Sequence, residues 1–141
     1  MIRPLYETSK DLERESAFFA DISSKWRCTG KKLNMRCFAD YTLERDSKIV
    51  GWCEIKCRNI RSSDYDTSNI GLIKLMGLRD LARHTALPVF LCIRWNDMDG
   101  YIDIGSTIRD LEFVMWGRKD RNDASDMQPY VQIPIKEFIQ L

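Results

Sequence analysis

The longest uninterrupted apolar run, LPVFLCI at residues 87–93, decides most about how this chain folds. It is too short to cross a bilayer. Its second residue is Pro88, which stops any preceding helix, and it is soon followed by the turn-forming NDMDG. An apolar run of this length without polar alternation reads as a strand buried on both faces, and such a strand needs a covering layer on each side. At 141 residues and 44% hydrophobic content, the chain supplies about one domain's worth of such layers. The fold class expected is α/β, with a mixed central sheet flanked by helices. One domain is expected over residues 1–141, with a core over about 8–105 and a C-terminal extension over 106–141.

Thr8 or Ser9 can cap a first helix running to about Trp26, with Asp11 and Glu13 in its opening turns. Leu12, Phe18, Phe19, Ile22 and Trp26 gather on one side, and Glu15 falls in the middle of that face. A glutamate there must find a partner, a metal or a proton. From residue 31 to 57 the pattern changes to three strands, KKLNMRC, FADYTLE and KIVGWCEIKC, the last two joined by a turn around ERDSK. Residues 59–67 read as a polar loop. Asp66, Thr67 or Ser68 can cap a second helix, which ends before Pro88 and carries Ile70, Leu75, Leu78, Leu81 and Ala82 on its apolar face. The strand VFLCIRW, a turn and the strand YIDIG complete the order αβββαββ. Beyond it, residues 107–116 fit a strand or a short helix, GRKDRNDASDMQP a charged loop, YVQIP a strand, and IKEFIQL a closing turn or helix.

Lys plus Arg is 22 against 21 for Asp plus Glu, a net charge of +1, so any site for a polyanion must be local. The single histidine, His84, lies near the second helix's C-terminus, where it suits the helix dipole. It leaves little room for Ser-His-Asp or Cys-His catalysis or for histidine-rich metal sites. The cysteines, five in number, read as buried thiols of a reducing compartment. A zinc site from Cys28, Cys37, Cys53 and Cys57 would lack any C-x2-C knuckle. The first 15 residues hold no apolar signal segment, so a cytoplasmic, intracellular protein with no membrane partner is expected. Carboxylates and lysines must carry the chemistry.

Glu54 and Lys56 share one face of their strand, while Cys53, Ile55 and Cys57 occupy the other. If residues 46–48 form a three-residue loop, Asp40 lies directly across from Glu54; a two-residue turn would send the two to opposite faces. Facing carboxylates repel unless a cation sits between them, and magnesium prefers such oxygens. Lys74 sits within the apolar arc of the second helix. Either it snorkels to the edge, or it reaches the same cleft as Lys56 and contacts phosphate.

An acidic residue on a first helix, then Asp40, then Glu54-Ile55-Lys56 on the next strand, then a helix and two strands, resembles the PD-(D/E)XK nuclease superfamily. The resemblance spans about residues 8–105. Tyr65, Lys74 and RWNDMDGYIDI look most like its small phage-type and Holliday-junction-resolvase-like members, and Ala39 stands where the family name has proline. The resemblance implies a restriction-endonuclease-like αβββαβ core in a phage-encoded, metal-dependent nuclease that cleaves DNA, selecting for its structure. Asp40, Glu54 and the Ile55 backbone carbonyl would coordinate Mg2+, with Mn2+ a substitute. Glu15 would bind it directly or through water, and Lys56 would hold the attacking water. A phosphate-tracking strip is expected from Lys25, Arg27, Lys31, Lys32 and Arg36, with Arg58, Arg61, Arg118, Lys119 and Arg121 in later loops. Tyr65 and Trp95 would stack on bases or cap the core. Leu72 and Met76, beyond the main apolar face, point to a homodimer. Alternatives on the same scaffold are a non-catalytic nucleic-acid-binding or assembly protein and a nuclease of RNA or free DNA ends.

Overall fold

A computed structural model of the chain describes residues 8–104, 112–116 and 128–141. Helix α1 (Ser9–Trp26) starts at a capping box, in which the Thr8 hydroxyl accepts from the Asp11 backbone and the Asp11 carboxylate accepts from that of Thr8. The elements that follow are β1 (Tyr41–Arg45), β2 (Lys48–Cys57), β3 (Thr67–Gly71) and α2 (Leu72–Thr85). After them come β4 (Val89–Arg94), β5 (Asp99–Asp103), β6 (Glu112–Trp116), β7 (Gln128–Pro134) and β8 (Ile139–Gln140). Five strands form a mixed sheet in the order β1-β2-β4-β5-β8, and three form a second sheet in the order β3-β7-β6. Within the first, β2 and β4 run parallel and the other pairs antiparallel.

The apolar run around Pro88 becomes β4 at the centre of the larger sheet, buried on both faces as its composition requires. On one face α1 packs Phe18, Phe19 and Ile22 against Tyr41, Leu43, Cys53, Ile55 and Cys92. On the other, Leu75 and Leu78 of α2 meet Val89, Leu91, Ile93, Ile102 and Ile104. Val131 and Ile133 of β7 and Phe138 are buried in that same cluster. Trp95 is buried there too, edge-on to Phe138, so it serves the core and is not available to stack on a base. Leu12, expected on the packed face of α1, is 42% exposed.

The order αβββαβ is observed, but two of its strands differ from expectation. KKLNMRC is not a strand: the chain from Thr29 to Lys32 follows the outer edge of β1 through isolated bridges, Thr29 to Glu44 and Lys32 to Tyr41, and then turns at Asn34. Gly30 permits this close approach. A Cβ there would stand 2.1 Å from the Thr42 carbonyl oxygen and 2.5 Å from the Phe19 ring. Gly30→Ala is expected to cost about 1–3 kcal/mol through this clash, because a backbone oxygen cannot retreat as a flexible side chain would; urea denaturation measures the loss.

The third strand is β3, within a stretch assigned to a loop and a helix cap. Ser68 and Ile70 alternate inward and pair with β7, so α2 begins only at Leu72, with Gly71 as a cap that makes no side-chain bond. On α2, Leu72 packs against the core while Met76 is exposed. His84 lies exposed in the last turn. No described helix is long and apolar enough to cross a membrane.

Candidate active site

The spacing between Asp40 and Glu54 depends on how the β1–β2 hairpin counts residues. Its loop is a two-residue turn at Asp46-Ser47, both with positive φ of 50° and 62°, closed by the pair Arg45 and Lys48. That turn alone would put the two acids on opposite faces. A β-bulge intervenes: Glu44 pairs with Ile49 but Leu43 with Gly51, so Val50 is one extra residue on β2 and the register advances by one. Tyr41 then pairs with Cys53, and Asp40, just before the strand, donates its N–H to the same Cys53 carbonyl while its carboxylate meets that of Glu54. The two carboxylates come together through a two-residue turn and a bulge, where a three-residue loop was expected.

Asp40 is held firmly. Its backbone N–H donates to the Cys53 carbonyl at 2.9 Å, and its Oδ2 accepts from the Ile55 N–H at 2.8 Å. Before it, Ala39 is buried in the core and the Phe38 ring lies over Gly77 of α2, where a Cβ would fall 2.2 Å from it. The loop entering β1 is thus seated on α2.

Glu54 is 2% exposed and shares a side-chain hydrogen bond with Asp40. Burial above all, then that bond and the Asp40 charge, push its carboxyl up to about 8, against the opposing pull of Lys74 and Lys56. Lys74 Nζ stands 2.8 Å from Glu54 Oε2 but out of line for a hydrogen bond, so this buried oxygen is neutralised without a directed donor. Lys74 thus reaches the carboxylate of Glu54. Lys56, half-buried on the same strand face as Glu54, makes no ion pair among the described residues.

Glu15 is buried on α1, which covers the opposite face of the sheet. It is linked to the acidic pair around the β1 edge by Lys32, which bonds Glu15 and lies 3.7 Å from Asp40 Oδ1 and 5.2 Å from the centre of the Tyr41 ring. Burial works to lower the Lys32 pKa, but the Glu15 bond and the Asp40 charge outweigh it and hold the ammonium above its usual value. Lys32 was expected among phosphate-binding residues and instead sits inside the acidic cluster. The signal for it was Glu15 itself, a buried acid that required a cation. Among the described residues no three acidic, histidine or cysteine side chains form one group able to hold a metal ion, and Lys32 bridges Glu15 to Asp40.

The donor chemistry fits a hard divalent ion. Two carboxylates lie together and one buried Glu54 oxygen lacks a directed donor, while the Lys32 and Lys74 ammonium groups beside them are the cations with which a metal ion would compete. The raised Glu54 pKa has a measurable consequence. Between about pH 4.5 and pH 8 the folded chain retains a proton that the unfolded chain releases, so cation-free stability falls as pH rises through that window and levels off above it. Melting curves across this range should show the fall, and Glu54→Gln should flatten it.

Over residues 1–141 the sequence matches the family described as "Phage putative PDDEXK endonuclease". The chain belongs to this family. A solved structure similar to this PDDEXK chain is Hjc, a Holliday junction resolvase from the archaeal hyperthermophile Archaeoglobus fulgidus. The identity is 10% and the TM-score 0.58, over 91% of this chain and 92% of that one, a likeness of fold. No curated protein matches the sequence.

The remaining basic positions of this PDDEXK chain are dispersed. Lys25, Arg27, Lys31, Arg36 and Arg61 are exposed. Arg58 is half-buried and donates to the Asn69 carbonyl at 3.2 Å, tying the end of β2 to β3, so it belongs to the framework. Arg118, Lys119 and Arg121 lie outside the described residues. Tyr65 is 65% exposed on the loop that follows β2. Cys53 and Cys92 are buried neighbours, Cys28 and Cys57 are half-buried, and Cys37 is exposed.

Proposed function

We propose that this chain is a magnesium-dependent deoxyribonuclease that cleaves DNA internally and selects branched structures, acting in the cytoplasm of a phage-infected cell. The observation carrying this reading is the Asp40–Glu54 pair, set face to face by a bulged hairpin and sharing its strand face with Lys56. Asp40, Glu54 and the Ile55 backbone carbonyl would hold Mg2+ or Mn2+. Glu15 would support them through Lys32 or a water. Such a cation would supply a low-pKa water and charge to offset that developing on the phosphate.

The chain's own groups do the rest. Glu54 would release its proton where Asp40 and Glu54 hold the ion, and Lys56 would orient the attacking water for in-line approach. Lys74 neutralises Glu54 from α2, and Lys31, Arg36 and Arg61 offer exposed charge for DNA phosphates. Two copies of the site suit a branched substrate, and Ile73 and Met76 on the outer face of α2 offer exposed apolar surface for a homodimer.

The test is incubation with labelled duplex, single-stranded, flap and four-way-junction DNA, with and without Mg2+. Internal cleavage of branched DNA only with the ion is the expected pattern. Binding without cleavage of any substrate would overturn the enzymatic reading, and products only from free ends or from RNA would overturn its substrate.

A further inference from the structure

On the α1 side of the sheet, away from the acidic pair, lies a second concave feature. A cavity of about 310 Å3 opens where the first turns of α1 meet the C-terminal ends of the parallel strands β2 and β4. Its walls include Arg14, Cys57, Arg58, Asn59, Arg94 and Asn96, and no carboxylate lines it. The carboxyl ends of parallel strands are where α/β sheets leave crevices for ligands.

Two of its three arginines are already committed. Arg94 pairs with Asp21 at 2.6 Å and Asp99 at 2.8 Å, and Arg58 donates to Asn69. Arg14 is exposed and makes no ion pair among the described residues. With the exposed amides of Asn59 and Asn96 it offers a guanidinium and two neutral donors around one hollow, a donor set suited to a phosphate. Cys57 ends the strand that carries Glu54 and Lys56 but faces the α1 side, so the cavity lies around the C-terminal end of β2 from the acidic pair, with Arg14 next to Glu15 on α1.

We infer that this cavity is a second phosphate subsite, in which Arg14, Asn59 and Asn96 hold a backbone phosphodiester of the DNA strand flanking the one at Lys56. The inference rests on the proposed DNA substrate, but its test needs no cleavage. DNA binding is measured without divalent ions over a range of NaCl concentrations for the native chain, Arg14→Gln and Arg14→Lys. Arg14→Gln should bind about tenfold more weakly, with the log–log salt slope reduced by about 1, while Arg14→Lys keeps the slope. Melting temperatures should be equal, because Arg14 is exposed.

Alkylation mapped by mass spectrometry locates the contact. DNA should slow labelling of Cys57 and leave Cys28, which lines a different cleft beside Trp26 and Arg45, unchanged. Unchanged affinity and slope in Arg14→Gln, or equal labelling of Cys57 with and without DNA, would overturn the subsite. Protection of Cys57 by inorganic phosphate alone would reassign the cavity to a free anion and overturn the DNA occupant. Cleavage by the native chain without these responses leaves the nuclease reading standing and removes the subsite. The responses without cleavage of any DNA do the reverse.

Discussion

Lys56→Ala is expected to lower DNA cleavage by about a thousandfold, the scale on which one positioned proton-handling or charge-stabilising group acts, while DNA affinity changes less than about threefold. The structural cost of the change is small. Lys56 is half-buried and makes no ion pair among the described residues, so its removal strands no partner. It also withdraws a positive charge that helps lower the Glu54 pKa, which remains opposed by Lys74. Single-turnover cleavage and fluorescence anisotropy on one junction substrate separate the two effects. Cleavage at the native rate would remove Lys56 from the reaction, and a parallel collapse of affinity would make it a phosphate contact instead.

Asp40→Asn should abolish the rise in melting temperature that Mg2+ or Mn2+ produces, while leaving the cation-free fold intact or slightly more stable. The amide oxygen can still accept from the Ile55 N–H, as Asp40 Oδ2 does at 2.8 Å, and the amide nitrogen can donate to Glu54. One of the two facing negative charges disappears, so Glu54 ionises closer to its ordinary range and Lys74 suffices as its counter-charge. The ion, by contrast, loses half of its anionic donor set, and the stabilisation that its binding brings to the folded state goes with it. Differential scanning calorimetry with and without the ion decides the matter. A large loss of cation-free stability would mark Asp40 and Glu54 as a structural network.

What the sequence made legible was whatever depends on periodicity within one segment. The long buried run became β4, the amphipathic stretch after Thr8 became α1, and the alternation around Glu54 placed it on one face with Lys56 and opposite Cys53 and Ile55. What depends on contacts between distant segments was not legible. TSNIG has one β-branched apolar residue and begins with good caps, so only its pairing with β7, more than 60 residues later, makes it a strand. KKLNMRC alternates weakly, and its lysines serve different ends: Lys31 is exposed, whereas Lys32 is drawn to a buried acid on another element. The same reasoning explains Arg58, whose charge suggested a surface contact until β3 covered it. The identity of Glu15's partner likewise required knowing which face of the sheet α1 covers.

Val50 carries a consequence for how such chains tolerate insertions and deletions. A hairpin keeps its facing acids only if the number of residues separating them has the right parity, and here a short turn and one surplus residue together make up what a longer turn would provide unaided. Removing Val50 alone would swap inside for outside along half of the strand, while removing it and lengthening the turn by one would restore the arrangement. Single-residue indels in this hairpin should therefore survive in homologous chains only as compensated pairs, a pattern that sequence comparison can search for without reference to activity.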